Sequence, residues 1–292
     1  MLETLRKPAV LDRSRELLEK AHKVVYKAAD QLVLHVYLFQ PELLFPHQQG
    51  ALTPRPSIVF FHSSAAWDNG NASQFAPHCM HFASRGMVAA TAEYRLRDLH
   101  HGTPMQAMSD ARSVIRWLRL NSEALVLDPN RVVAAGSAAG GHIATSTAIP
   151  NGVFDESGED QALSCVPNAL ALFSPILDTA KGGIGTNLFP DAKLAKAASP
   201  QAQLRKGLPP TIIFHGSADR VVPAAMSSDY AKRCKKYKNV CEIELYDACG
   251  HGFFNFNVHA KLYESTLLAT DSFLVKQGLL PPDPELSGRD VL

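Results

Sequence analysis

Short apolar runs alternate with helix-like segments along most of the chain. The run 58–61 is entirely apolar and lies between polar and proline residues, which is typical of a strand buried on both faces. The predicted strands are residues 24–26, 32–39, 58–61, 87–94, 131–135, 169–173, 211–214 and 241–246, and the predicted helices are residues 72–84, 104–121, 224–236 and 258–277. This alternation predicts an α/β fold with a mainly parallel central sheet flanked by helices.

Two stretches interrupt the alternation. Residues 41–56 contain four prolines and a glycine and are predicted to form a surface loop. Residues 128–130 are predicted to form a separate turn before the strand 131–135. Residues 181–207, rich in Gly, Ala, Lys and Pro, are predicted to be a small insertion near one end of the sheet. The chain divides into an N-terminal helical segment (1–21), one α/β domain (22–280) and a loose C-terminal tail (281–292).

Composition excludes several classes of protein. The formal net charge of +1 argues against nucleic acid or an anionic membrane as the main partner. The absence of a long apolar run predicts no membrane span, and the polar N-terminus is unlike a signal peptide, so we expect a cytoplasmic protein. The 5 cysteines form no CxxC spacing and are interpreted as small apolar residues in a reducing compartment. No nucleotide-binding motif or metal-ligand spacing occurs, so we expect no cofactor and no metal.

One segment carries a recognisable chemical pattern. Gly136 and Gly140 have the spacing of the glycines in G-x-S-x-G, directly after a predicted strand and before a helix. This pattern forms the nucleophile elbow of α/β-hydrolases, where a tight turn leaves no room for a Cβ at either glycine. The residue midway between the glycines is Ala138, so a methyl group occupies the place of the nucleophile. Ser137 precedes it by one position.

The segment Ala139-Gly140-Gly141-His142 resembles the G-x-S-A-G-G-H elbow of the esterase and lipase branch of the α/β-hydrolases, which includes acetyl-xylan and feruloyl esterases. The resemblance extends over residues 22–277 and places Ala138 on the family's serine. It implies that Asp219, in the motif H-G-x-x-D, orients the catalytic histidine. It also implies that His251, in Gly-His-Gly-Phe, is the general base. The chain order 138, 219, 251 is the one this fold requires.

An oxyanion hole in this fold needs two backbone N–H groups. One belongs to the residue after the nucleophile, which is Ala139. The other comes from the loop after the strand 58–61, where relatives carry H-G-G-G and this chain has His62-Ser63-Ser64-Ala65. Counting from His62 makes Ser63 and Ser64 the donors. Counting from the later Trp67 and Gly70 shifts the donors to Ser64 and Ala65.

Three interpretations of position 138 remain open. The first is a serine-type ester hydrolase whose nucleophile is replaced by alanine, and the resemblance implies small or carbohydrate-linked carboxylic esters as its substrates. The second is a naturally non-catalytic, hydrolase-like binding or scaffold protein. The third makes Ser137 the nucleophile of a shifted elbow, for which the residues two positions away, Ala135 and Ala139, fit poorly. The sequence leaves the oligomeric state open.

Overall fold

A computed structural model describes residues 10–29, 32–41, 53–64, 67–149 and 151–283. The far N-terminal residues, most of the predicted loop 41–56, the oxyanion candidate Ala65, and the end of the predicted tail lie outside the described residues. The helices and strands, numbered in chain order, are α1 (Val10–Leu18), β1 (His22–Ala29), β2 (Leu32–Phe39), β3 (Arg55–Phe61), α2 (Ala76–Ser84), β4 (Val88–Ala92), α3 (Arg97–His100), α4 (Pro104–Leu120), β5 (Leu127–Ser137), α5 (Ala139–Thr147), β6 (Ala169–Phe173), α6 (Ala192–Ala198), β7 (Thr211–Gly216), α7 (Ala224–Lys236), β8 (Cys241–Tyr246) and α8 (Ala260–Lys276).

The strands of the described chain form one 8-stranded sheet in the order β1-β2-β4-β3-β5-β6-β7-β8. The pairs β1–β2 and β2–β4 are antiparallel, and every pair from β4 through β3 to β8 is parallel. Helices cover both faces of this sheet, so the prediction of a mainly parallel sheet flanked by helices is confirmed. The parallel block is the part that positions the site, because all its strands end at the same edge.

Strand β3 explains how one sheet supports two cores. Its side chains alternate between the faces, so Ile58 and Phe60 pack into one hydrophobic cluster while Val59 and Phe61 pack into the other. All four side chains are fully buried. An uninterrupted apolar run therefore predicts a central strand covered on both faces, as the sequence indicates.

One predicted strand extends across an expected turn, and one predicted helix is divided. Strand β5 begins at Leu127 and so includes residues 128–130, which were expected to be a turn. The expected turn chemistry is still present, because the Asn130 N–H donates to the Asp128 carboxylate at 2.9 Å. The register against β3 shifts there, from Arg55 opposite Leu127 to Ser57 opposite Val132. Pairing on both sides of this irregularity extends the strand past it.

The predicted helix over residues 72–84 is two elements, a 3₁₀ turn at Ala72–Phe75 followed by α2. The insertion 181–207 contains helix α6 and a short 3₁₀ turn at Thr186–Leu188. Within the described residues, no helix is both long enough and apolar enough to cross a membrane.

Candidate active site

The turn after β5 has the backbone geometry of a strained elbow. Ala138 has φ 51° and ψ −117°, a conformation that residues with a Cβ rarely adopt. Its carbonyl accepts the N–H of His142 at 3.0 Å and that of Ile176 at 3.1 Å, and its own N–H donates to Phe173 O at 3.2 Å. These bonds from β6, α5 and the loop after β6 hold the strained residue in place.

The two glycines of the elbow are needed because the backbone is packed against them. A Cβ on Gly136 would lie 2.5 Å from the carbonyl oxygen of Gly140 and 2.8 Å from that of Phe61. A Cβ on Gly140 would collide with the carbonyl oxygens of Phe61 and His62. The turn from β5 into α5 can therefore form only with glycine at both positions, as the spacing predicts.

Asp219 follows β7 and its side chain is fully buried. Its Oδ1 accepts the N–H groups of Val221 at 2.8 Å and Val222 at 2.9 Å, while Oδ2 lies 2.7 Å from Nδ1 of His251. Burial alone would raise the pKa of this carboxyl. The Val222 N–H, the His251 ring and the Val221 N–H outweigh that effect and hold the pKa below its ordinary value. Asp219 is therefore an ionised acceptor.

An ionised carboxylate can only accept hydrogen bonds, so the proton of the Asp219–His251 bond resides on Nδ1 of His251. In the neutral ring this leaves a lone pair on Nε2, which has no hydrogen-bond partner among the residues that the structure describes. The His251 side chain keeps 22% of its surface exposed. The pair is thus arranged for Nε2 to take up a proton from a neighbouring group.

Topology brings the three predicted catalytic positions to one edge of the sheet. Strands β5, β6, β7 and β8 are successive parallel neighbours. Ala138 follows the carboxyl end of β5, Asp219 that of β7, and His251 that of β8. The structure joins the last two positions by a direct hydrogen bond.

Ser137 has a different partner. Its Oγ accepts a hydrogen bond from Nε2 of Gln74 at 3.4 Å and has no bond to His251. The residue is 1% exposed. The third interpretation, in which Ser137 is the nucleophile, requires contact between its Oγ and a His251 ring nitrogen and gains no support from this arrangement.

The two predicted sources of the oxyanion hole differ in whether their N–H groups already have acceptors. The N–H of Ala139, at the start of α5, has no acceptor among the described residues. By contrast, the N–H of Ser63 donates to Oε1 of Gln74 at 2.6 Å. Ser64 is buried, and its Oγ accepts from the Tyr94 hydroxyl at 3.1 Å. An oxyanion could reach the Ser63 N–H only if the bond to Gln74 broke.

His142 ties the elbow helix to the insertion. Its Nε2 lies 2.9 Å from the carbonyl oxygen of Ala198 at the end of α6, and the ring is fully buried. Burial lowers the pKa of His142 to about 4, so the ring is neutral and Nε2 carries the donated proton. This residue is structural, because its buried ring joins α5 to the end of α6.

Three polar residues near the site have roles that a single sequence does not make visible. His215 lies 3.2 Å from Asp219 Oδ2 through its Nε2, which also meets Val222 O at 2.9 Å. Burial lowers the pKa of His215, so the neutral ring supports the Asp219 turn as a hydrogen-bond donor. Gln74 and Asn255 bond to each other across 181 positions of sequence. A motif search finds His215 only as part of H-G-x-x-D and finds neither amide residue.

Solved structures and curated proteins resemble this chain over most of its length. The propionate-bound esterase 2 of Thermogutta terrifontis is 36% identical, with a TM-score of 0.84 over 96% of this chain and 100% of that chain. The same enzyme phosphoramylated by tabun is 37% identical, also at a TM-score of 0.84.

Among curated proteins, isoprenylcysteine alpha-carbonyl methylesterase ICME of Arabidopsis thaliana is 25% identical over 74% of this chain. Esterase LipC of Mycobacterium tuberculosis is 26% identical over 68% of this chain. The chain spans about half the length of these relatives, 55% of the first and 53% of the second.

The fold, the elbow and these likenesses define an α/β-hydrolase of the esterase class. Within that class the family profile BD-FAE matches residues 42–170 and 174–234. The chain belongs to the BD-FAE family.

Proposed function

We propose that this chain is built as a serine-type carboxylic ester hydrolase, acting on small or carbohydrate-linked esters, in which Ala138 occupies the position of the nucleophile. The observation that carries the proposal is the Asp219–His251 pair, 2.7 Å between Oδ2 and Nδ1, on the sheet edge where the strained Ala138 turn also lies. Such a pair can remove the proton from a hydroxyl group at the elbow and so activate it as a nucleophile.

The reaction follows from those positions. A serine hydroxyl at position 138 would attack the ester carbonyl while Nε2 of His251 takes its proton, forming a tetrahedral oxyanion. The C–O bond to the alcohol then breaks, and His251 returns the proton to the departing alkoxide. Water next attacks the acyl group, gives its proton to His251, and releases the carboxylic acid as the hydroxyl is regenerated. Asp219 keeps Nδ1 protonated and stabilises the imidazolium throughout.

With alanine at position 138 no acyl intermediate can form, so we expect the chain as written to bind esters and carboxylates without turning them over. Loss of a triad nucleophile removes on the order of 10⁶ in turnover, roughly 8 kcal/mol of barrier. Substrate contacts that do not involve the missing oxygen remain.

The test is hydrolysis of short-chain aryl esters by the chain and by its Ala138→Ser variant. We expect a rise of several orders of magnitude in kcat/KM, abolished when His251→Ala is added. A serine variant that stays at background with acetyl, butyryl and feruloyl esters would refute the catalytic assignment.

A second candidate, a hydrolase-like protein that binds but does not catalyse, is favoured by one observation. The N–H of Ser63, a predicted oxyanion donor, is already bonded to Gln74. This candidate predicts that Ala138→Ser stays inactive while binding of a carboxylate such as butyrate persists in both forms.

A further inference from the structure

Gln74 connects three separate segments around the elbow. It lies in the 3₁₀ turn that leads into α2 and is half-buried. Its Oε1 accepts the Ser63 N–H at 2.6 Å, and its Nε2 donates to Asn255 Oδ1 at 2.8 Å and to Ser137 Oγ at 3.4 Å. Both N–H groups and one of the two acceptor lone pairs of this planar amide are therefore used.

Each partner belongs to a different part of the predicted machinery. Ser63 is in the loop after β3 that should carry an oxyanion donor, and Ser137 directly precedes Ala138. Asn255 lies in the loop of His251, where its Nδ2 donates to the carbonyl oxygen of Gly252 at 3.0 Å. One side chain thus fixes the oxyanion loop, the elbow and the histidine loop relative to one another.

The bond to Gln74 also bears on which amides of the loop after β3 can be oxyanion donors. The sequence leaves open whether they are those of Ser63 and Ser64 or those of Ser64 and Ala65. A backbone N–H has one proton to donate, and the Ser63 N–H already donates it to Gln74 Oε1 over a short distance. Giving this proton to an oxyanion would leave the half-buried Gln74 carbonyl without its donor, which costs free energy. The next amide along the chain, that of Ser64, has no acceptor among the described residues.

We propose that Gln74 is a positioning residue of this site, and that the Ser64 N–H, rather than that of Ser63, is the oxyanion donor of the loop. Gln74 holds Ser63 and so fixes the loop that carries the Ser64 amide, and it holds the His251 loop through Asn255. The positioning role of Gln74 in catalysis rests on the proposed function. The assignment of the donor concerns binding and is testable in the chain as it stands.

The first experiment is a titration of the unaltered chain with sodium butyrate, followed by the backbone amide resonances in ¹H–¹⁵N NMR spectra. We expect large shifts for the amides of Ser64 and Ala139 and a small shift for that of Ser63, which stays on Gln74. In Gln74→Leu the Ser63 amide should exchange with solvent faster, and butyrate should bind about tenfold more weakly. A Ser63 shift as large as that of Ser64, or no shift in any of these amides, would overturn the donor assignment.

The second experiment measures kinetics in the Ala138→Ser background. Gln74→Leu should lower kcat by about 10²-fold with KM changed by no more than about twofold, because misplaced donors cost transition-state binding more than substrate binding. Gln74→Glu keeps the acceptor for Ser63 but loses the donor to Asn255. Its activity should be intermediate and should recover as the pH falls and the introduced carboxyl takes up a proton. A purely structural role would not produce that pH dependence.

The matched control is Gln106→Leu. Gln106 is also a glutamine at the start of a helix whose Oε1 accepts a backbone N–H, that of Thr103 at 2.9 Å, but it lies in the capping box of α4. It should lower stability by a comparable amount and leave kcat unchanged.

The two proposals fail separately. An active Ala138→Ser form that is indifferent to Gln74→Leu overturns the positioning role and leaves the proposed function intact. An inactive Ala138→Ser form with butyrate shifts centred on Ser64 refutes the catalytic assignment and supports the donor assignment.

Discussion

Nδ1 of His251 and Oδ2 of Asp219 lie 2.7 Å apart, and the other carboxylate oxygen of Asp219 accepts two backbone N–H groups from its own turn. The carboxylate is therefore fixed before the histidine meets it, and the histidine is held in a single tautomer. This arrangement is maintained although residue 138 offers no hydroxyl for the histidine to act on.

Asp219→Asn tests the orienting role of that carboxylate. In the Ala138→Ser background an amide side chain keeps the shape but can donate to Nδ1, which puts the ring proton on the wrong nitrogen. We expect kcat to fall by about 10³–10⁴-fold, the size of effect seen when a triad carboxylate is made neutral. Steady-state hydrolysis of an aryl ester measures this.

The control for Asp219→Asn is Asp247→Asn, an exposed carboxylate whose bond to Ser217 Oγ is 3.1 Å long. It should leave kcat within about twofold. Equal losses in the two variants would mean that Asp219 does not orient His251 for catalysis.

We expect buried histidines to lower the stability of the folded chain at acid pH. Burial lowers the pKa of His78 to about 3 and that of His62 to about 4, from an ordinary value of 6.5. As the pH falls from 6.5 towards 3, these histidines therefore become protonated in the unfolded chain while they stay neutral in the folded chain. Stability is fully present above pH 6.5 and is lost below it, by up to about 1.4 kcal/mol per pH unit for each such histidine.

His78→Phe isolates one of these contributions. The ring is fully buried among Phe60, Phe75, Phe173 and Tyr263, and neither nitrogen has a hydrogen-bond partner among the described residues. Phenylalanine removes two unsatisfied polar atoms at similar volume, so we expect stability at pH 7 to rise by about 1–2 kcal/mol. Urea unfolding from pH 7 to pH 4 should show a shallower loss than in the unaltered chain. His22→Phe, at an exposed position of β1, is the control.

An unchanged acid profile in His78→Phe would mean that other groups dominate the loss of stability.

Gly140→Ala tests the packing of the elbow. The added Cβ meets the backbone carbonyl oxygens of Phe61 and His62 at the end of β3, which cannot move without disturbing the central strand. We expect a loss of about 2–4 kcal/mol in the free energy of unfolding, the range of severe overpacking. Gly250→Ala is the matched control, since a Cβ there meets nothing within 4 Å. Equal effects at the two positions would show that the elbow has room to relax.

Much of the fold could be predicted because the signal is local. Apolar runs such as 58–61 indicate buried strands, and the spacing of Gly136 and Gly140 indicates a tight strand-to-helix turn. That positions 138, 219 and 251 lie at one edge then follows from a parallel sheet, whose strands end together.

The polar contacts around the elbow could not be predicted in the same way. Gln74 meets Asn255 because the 3₁₀ turn before α2 and the loop after β8 are adjacent in space, and the two residues are 181 positions apart in sequence. Whether the Ser63 N–H is free depends on its bond to Gln74, so the sequence alone leaves both registers of the oxyanion loop open. The strand start at Leu127 was missed because its pairing with Arg55 bridges a turn that looks like a strand end.

The most direct test of the central claim is covalent labelling of position 138 by paraoxon, read by mass spectrometry of the digested protein. Esterase 2 of Thermogutta terrifontis has been solved phosphorylated by this reagent. We predict that Ala138→Ser gains a single diethylphosphoryl group on the peptide containing position 138, that His251→Ala slows this labelling sharply, and that the unaltered chain gains none. Labelling of the unaltered chain at Ser137, or no labelling of Ala138→Ser, would contradict the account.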